Sequence, residues 1–146
     1  MKTSEYAKAK IKEFEGLRLE AYICPSGVLT VGYGHTGADV AKGLRITEAR
    51  ADALFEGDIA GTERAVDMAV GGTNLSQCQY DALVSFTYNL GAGNLRSSTL
   101  LKKVRSCPGN PAIHDEFRRW VYSKGKRLPG LVKRREWEAS RYFGEE

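Results

Sequence analysis

Residues 15–36, EGLRLEAYICPSGVLTVGYGHT, change period within a few positions, and the architecture follows from that change. Leu17, Leu19, Ala21 and Ile23 alternate with Arg18, Glu20, Tyr22 and Cys24, the period of two that a strand requires. Pro25-Ser26-Gly27 is a turn signal, and residues 28–33 are again β-branched and aromatic. Two short antiparallel strands joined at residues 25–27 are therefore expected, with Gly32, Gly34 and Gly37 punctuating the exit. Around a turn centred near Gly27, Cys24 and Thr30 are opposite or diagonal neighbours, about 4.5–8 Å apart. The alternation places both on one face with Gly32 and Gly34. Such a face, polar at one end and bare backbone at the other, suits an extended ligand.

Outward from this hairpin the period is helical. Ala7, Ile11 and Phe14 share one side of a short helix over residues 3–14, opposite Lys8, Lys10, Lys12 and Glu13, and Gly16 stops it. Thr47 caps a helix running towards Val70, where Gly71-Gly72 ends it. Ser76-Gln77-Cys78-Gln79 has the capping-box pattern and opens a helix reaching Gly91. A further helix starts near Ser97 or Ser98. Asn110-Pro111 opens another that runs to Ser123, and Leu128-Pro129-Gly130 introduces a last basic helix ending at Phe143. The expected fold class is α+β and mostly helical. It forms a single domain over residues 1–146, with an N-terminal helix and β lobe at about 1–46 and a helical lobe at about 47–146.

The chain has 146 residues, 42% of them hydrophobic, which is enough for a core and excludes global disorder. No apolar run approaches the roughly 20 residues of a membrane-spanning helix, and residues 1–16 lack the apolar stretch of a secretory signal. Lys and Arg number 22 against 18 acidic residues, a net charge of +4 that favours a polyanionic partner without naming one. Three cysteines, Cys24, Cys78 and Cys107, leave at least one thiol unpaired within a single chain.

Glu15, eight residues, Cys24, five residues and Thr30 set a carboxylic acid before a small polar pair, the arrangement an acid-catalysed hydrolysis needs. Taken singly, each residue is ordinary: Glu15 a solvated helix end, Cys24 a small hydrophobe, Thr30 a strand residue. Together with Gly32-Tyr33-Gly34-His35 they resemble the active-site region of the phage-type lysozymes, the bacteriophage endolysins of glycoside hydrolase family 24. Gln79-Tyr80-Asp81-Ala82-Leu83-Val84-Ser85-Phe86 with Tyr88-Asn89-Leu90-Gly91 is similar to that family's central helix, and Ser97-Ser98-Thr99-Leu100-Leu101 to the motif after it. Leu128-Pro129-Gly130-Leu131-Val132 with Arg134-Arg135-Glu136 is similar to its C-terminal helix. The matches come in the family's order.

The resemblance implies a lysozyme-like fold, with a small β-hairpin lobe and a larger helical lobe facing each other across a cleft. It implies an endolysin muramidase that hydrolyses the β-1,4 bond between N-acetylmuramic acid and N-acetylglucosamine during host lysis. Glu15 is then the general acid, Thr30 positions the attacking water, and Cys24 stands where many members have Asp. A thiolate there orients water or acts as nucleophile, whereas a neutral thiol is a weak partner. Gly32 and Asn89 are expected at the glycan, His35 as support for the hairpin, and one of Arg134 and Arg135 as the group orienting Glu15. A general acid carries a proton when it acts, so burial and a neighbouring arginine pull in opposite directions. No cofactor is implied, and a zinc site at Cys24 and His35 lacks ligand spacing.

The implied partner is peptidoglycan, without nucleic acid or stable membrane insertion. The expected enzyme is a monomer made in the host cytoplasm, acting on the wall after release, with a separate holin opening the way. Lys124-Gly125-Lys126-Arg127 with Lys133-Arg134-Arg135 reads either as a solvated helix face or as an attraction to an anionic wall. Trp120 and Trp137 read as core aromatics, and in an oxidising periplasm Cys78 and Cys107 could pair, with pairings to Cys24 equally open to the sequence. A lytic transglycosylase, and a basic helical module binding glycan or nucleic acid without catalysis, are the alternatives.

Overall fold

The computed structural model describes residues 1–145. Its elements run α1 (Glu5–Glu15), β1 (Arg18–Ile23), β2 (Leu29–Gly32), α2 (Glu48–Val70), α3 (Gln77–Leu90), α4 (Ala92–Ser97), α5 (Thr99–Ser106), α6 (Ile113–Arg118), β3 (Tyr122–Ser123), β4 (Lys126–Arg127) and α7 (Pro129–Tyr142). The chain divides into two compact units, Lys8–Gly61 and Met1–Ala7 with Thr62–Glu146. The sequence boundary near residue 46 marks the change from strand to helix; the units part instead within α1 and within α2.

In the unit Lys8–Gly61, β1 and β2 pair antiparallel, with Tyr22 opposite Thr30 and Ile23 opposite Leu29, and an irregularity between Arg18 and Tyr22. The turn closes through Gly27 N–H to Cys24 C=O (2.8 Å) and Cys24 N–H to Val28 C=O (3.0 Å). The outer edge of β1 is covered: Ala21 N–H donates to Leu44 C=O and Ile46 N–H to Leu19 C=O, both at 2.8 Å. An edge so paired offers no free ladder to another chain. Leu19 and Ile23 are nonetheless exposed, so alternation identified the strand but not which side is buried. The unit's small core is Ile11, Val31, Val40, Ala51, Phe55 and Ile59. Thr47 Oγ1 accepts from Arg50 N–H at 3.1 Å, capping α2 as its sequence predicts.

The other unit is built on α3. Ser76 and Gln79 form the full capping box, and residues from Tyr80 to Thr87 are all buried. Phe86 meets Phe117 and Trp120 edge-on, with ring centroids 5.8 and 5.5 Å apart. Burying one such ring contributes about 1.5–3 kcal/mol. The unit's N-terminal residues are tied down by carboxylates: Thr3 donates twice to Glu63, and Ser4 to Asp81 from both N–H and Oγ. Ser4 Oγ also accepts from Ala7 N–H, which is why α1 begins at Glu5.

Two departures from the sequence reading have local causes. Ser98 does cap α5, accepting from Leu101 N–H, but a short α4 precedes it that the periodicity did not show. The helix expected to run to Ser123 stops at Arg118, and residues 122–127 form a second hairpin, Tyr122 opposite Arg127 and Ser123 opposite Lys126. Lys124 and Gly125 both have positive φ, 51° and 78°, the two-residue turn whose twist suits a hairpin.

Candidate active site

Glu15 is the last residue of α1, half-buried where the chain turns into β1. Its seat is Gly34. A Cβ at Gly34 would lie 2.6 Å from Glu15 Oε1, closer than any side chain tolerates, and the φ of +79° independently favours glycine. Gly34 arrives there because residues 31–35 fold back on themselves: Val31 and His35 exchange both backbone hydrogen bonds, at 2.9 and 2.8 Å.

His35 fastens that turn. Its Nδ1 lies 2.8 Å from Asp58 Oδ2 on α2, and its Nε2 lies 3.0 Å from both oxygens of Asp39. Burial opposes the imidazolium, yet the two carboxylates outweigh it and hold the His35 proton above the usual histidine range. Asp39 is held low by the hydrogen bond from His35. Burial pushes Asp58 up more than His35 draws it down.

Cys24 sits opposite Val28, so Thr30 is its diagonal neighbour. Its Sγ lies 2.8 Å from Ser26 Oγ. That contact, with the Val28 backbone, the Thr30 hydroxyl and a smaller share from the Ser26 backbone, outweighs partial burial and lowers the thiol to about 7. Thr30 is buried and its Oγ1 donates to Val28 C=O at 2.9 Å. Its single proton serves either that carbonyl or the sulfur, so Ser26 is the steadier donor.

Gly32 does not present the open backbone expected of a glycan contact. It is buried, and the side where a Cβ would stand faces Ala51 Cβ and Ile46 Cδ1 at 3.6 Å. Ser26, Asp39 and Asp58 enter the cluster unforeseen. Ser26 lies inside the quoted stretch, whereas Asp58 carries no local signal, being 23 residues from His35.

The remaining expected residues belong to the other unit. Asn89 is in the last turn of α3, its Oδ1 buried without a hydrogen-bond partner among the described residues. Arg134 and Arg135 are buried on α7, not part of an exposed basic face as the tract's composition suggested. Arg135 Nε lies 2.7 Å from Glu138 Oε1 and Arg134 Nε 3.4 Å from Glu138 Oε2. Ser85 Oγ donates to Glu138 at 2.6 Å, and Arg134 donates to Ser85 C=O at 3.2 Å. Buried charges need such counterions, and Glu138 three residues after Arg135 supplies one. Trp120 is half-buried against Phe86, and all three cysteines are free thiols. Among the described residues no cluster of three or more His, Cys, Asp or Glu could hold a metal, and no helix is long and apolar enough to cross a membrane.

Residues 12–138 match the family model described as phage lysozyme. The chain belongs to the phage lysozyme family. An endolysin of Acyrthosiphon pisum secondary endosymbiont phage 1 is 42% identical over 142 residues, covering 94% of this chain and 95% of the relative. Among solved structures, the endolysin from Escherichia coli O157:H7 phage FAHEc1 superposes with a TM-score of 0.86 at 34% identity, covering 100% of this chain and 96% of that one. The muramidase domain of SpmX from Asticaccaulis excentricus gives 0.85 at 36% identity, covering 97% of both chains. The mostly helical α+β arrangement is the lysozyme fold of this family.

Proposed function

We propose that this phage-lysozyme-family chain is an endolysin muramidase, a glycosidase that hydrolyses the β-1,4 bond between N-acetylmuramic acid and N-acetylglucosamine in peptidoglycan. The observation that carries the reading is the seating of Glu15 on Gly34, in the same unit as a Cys24 thiol that ionises near neutrality. The endolysin and muramidase relatives support it.

Glu15 gives its proton to the glycosidic oxygen, and Cys24 as thiolate, with Thr30, orients the water that attacks the anomeric carbon. A thiolate is an acceptor, so it takes up the position a carboxylate would fill and draws a proton from that water. His35 acts as support, holding the turn that carries Gly34. Asn89, with its unmatched carbonyl oxygen, is assigned to the glycan. The enzyme works as a monomer on the cell wall, after synthesis in the host cytoplasm and passage through a holin-opened membrane.

The test is digestion of purified sacculi followed by mass spectrometry. Fragments with reducing muramic ends establish hydrolysis. Fragments with 1,6-anhydro ends would make the enzyme a lytic transglycosylase instead, and intact sacculi would overturn both.

A further inference from the structure

The net charge of +4 is not spread over the molecule. Residues 122–133, YSKGKRLPGLVK, contain four cations and no Asp or Glu. Removing those four from the 22 basic residues leaves 18, matched by the chain's 18 acidic ones. The neighbouring arginines do not add to the excess, since Arg118 pairs with Glu136 and Asp115, Arg119 with Glu116, and Arg134 and Arg135 with Glu138. Lys126, Arg127 and Lys133 are exposed and, among the described residues, have no carboxylate within ion-pair distance.

The shape of this segment is as particular as its charge. The Lys124-Gly125 turn carries the hairpin, and on one of its faces Tyr122 stands opposite Arg127. Arg127 then borders a shallow groove of about 360 Å³ whose other walls are Pro129, Val132 and Lys133. Tyr122 is 62% exposed and Leu128 38% exposed, a large aromatic and an aliphatic side chain held in water beside the cations. Exposed apolar groups rimmed by cations mark a surface that meets something both anionic and apolar.

We propose that the β3–β4 hairpin and the first turn of α7 form a docking surface for an anionic phospholipid membrane. Lys126, Arg127 and Lys133 bind the lipid phosphates, while Tyr122 and Leu128 enter the headgroup zone, where amphipathic rings settle. A wall polysaccharide is the other anionic candidate, but sugar hydroxyls are recognised by side chains that accept as well as donate. Residues 122–133 contain no Asp, Glu, Asn or Gln, so the patch offers charged donors without planar acceptors, the complement of phosphate rather than of a sugar ring. The contact is peripheral, since nothing in the segment is long enough to span a bilayer.

Vesicle binding is read without catalysis, so it stands or falls separately from the muramidase reading. The full chain is sedimented with vesicles of phosphatidylcholine alone, with vesicles containing one-fifth phosphatidylglycerol, and with purified sacculi. The expected result is binding to the anionic vesicles only among the two lipids, weakening as salt rises. A Lys126→Gln/Arg127→Gln/Lys133→Gln variant with unchanged far-ultraviolet circular dichroism and unchanged activity on soluble glycan loses about 100-fold in vesicle affinity. Tyr122→Ser retains the salt-sensitive part of binding and loses the rest. Equal vesicle binding by wild type and the triple variant overturns the proposal. So does binding to sacculi with none to anionic vesicles, which would make the wall polymer the partner.

Discussion

The two units hold their polar groups in opposite ways. In the unit Lys8–Gly61, Glu15, Cys24 and His35 are half-exposed and held by backbone turns, by Ser26 and by the Asp39–Asp58 pair. In the other unit, Arg134, Arg135 and Glu138 are almost wholly excluded from water and fixed by one another and Ser85. The difference is chemical. A group at the border of solvent can gain or lose a proton at little cost, whereas a fully buried pair cannot change charge without stranding its partner. The first arrangement suits proton transfer; the second suits architecture.

The largest expected effect separates the two regions outright. Glu15→Gln lowers the rate of reducing-end release from sacculi by about 100-fold or more, with the urea unfolding midpoint within error of wild type. Undiminished release would remove Glu15 from the chemistry. In the buried network the consequences are reversed. Glu138→Gln removes the buried carboxylate that Arg134 and Arg135 share and costs about 3–5 kcal/mol of unfolding free energy, read by urea titration. A loss below about 1 kcal/mol would show that the network is hydrated and not the fixed counterpart described here.

Gly34→Ala tests whether turn geometry holds the acid. The added carbon has to displace Glu15, and the left-handed backbone costs about 1–2 kcal/mol, so activity falls by more than stability alone explains. Equal activity per folded molecule would dissociate Gly34 from the acid. A smaller effect is expected at His35. A histidine whose proton binds more tightly in the folded protein contributes its stability in full below its unfolded value, near 6.5. That contribution is lost as pH climbs through the raised folded value. His35→Asn therefore destabilises at pH 5.5 by about 0.5–1 kcal/mol and by less at pH 9. A deficit that grew with pH would contradict the clamp. Smallest of all is the thiol: alkylation of Cys24 should follow a titration centred near 7, moving upward in Ser26→Ala. An unmoved midpoint would exclude Ser26 as its donor.

Much of this molecule was legible in local pattern. The hairpin at residues 25–27, the Ser76 capping box, the Thr47 cap and the Ser98 cap each rest on chemistry complete within four or five residues. The β3–β4 hairpin was missed because its turn carries Lys where Asn or Asp would have announced positive φ. The Arg134-Arg135 pair was misread because a tract of basic residues looks the same whether water or Glu138 faces it. At the candidate site, the spacing of Glu15, Cys24 and Thr30 was visible, and the diagonal placement of Cys24 and Thr30 follows from strand pairing. Gly32 went the other way, since an alternation of two has two faces and cannot say which one packs on Ile46 and Ala51.

What the sequence determined by itself, then, was the order of elements, most of their caps and the acid, thiol and hydroxyl of the hairpin, because these depend on near neighbours. What only the tertiary structure decided was which polar groups meet across long separations. Asp58 reaches His35, Glu63 holds Thr3, Glu138 buries two arginines beside Ser85, and Gly34 comes to rest under Glu15. Such pairings are set by how whole elements pack, and charge, burial and acidity all follow from the partner rather than from the residue.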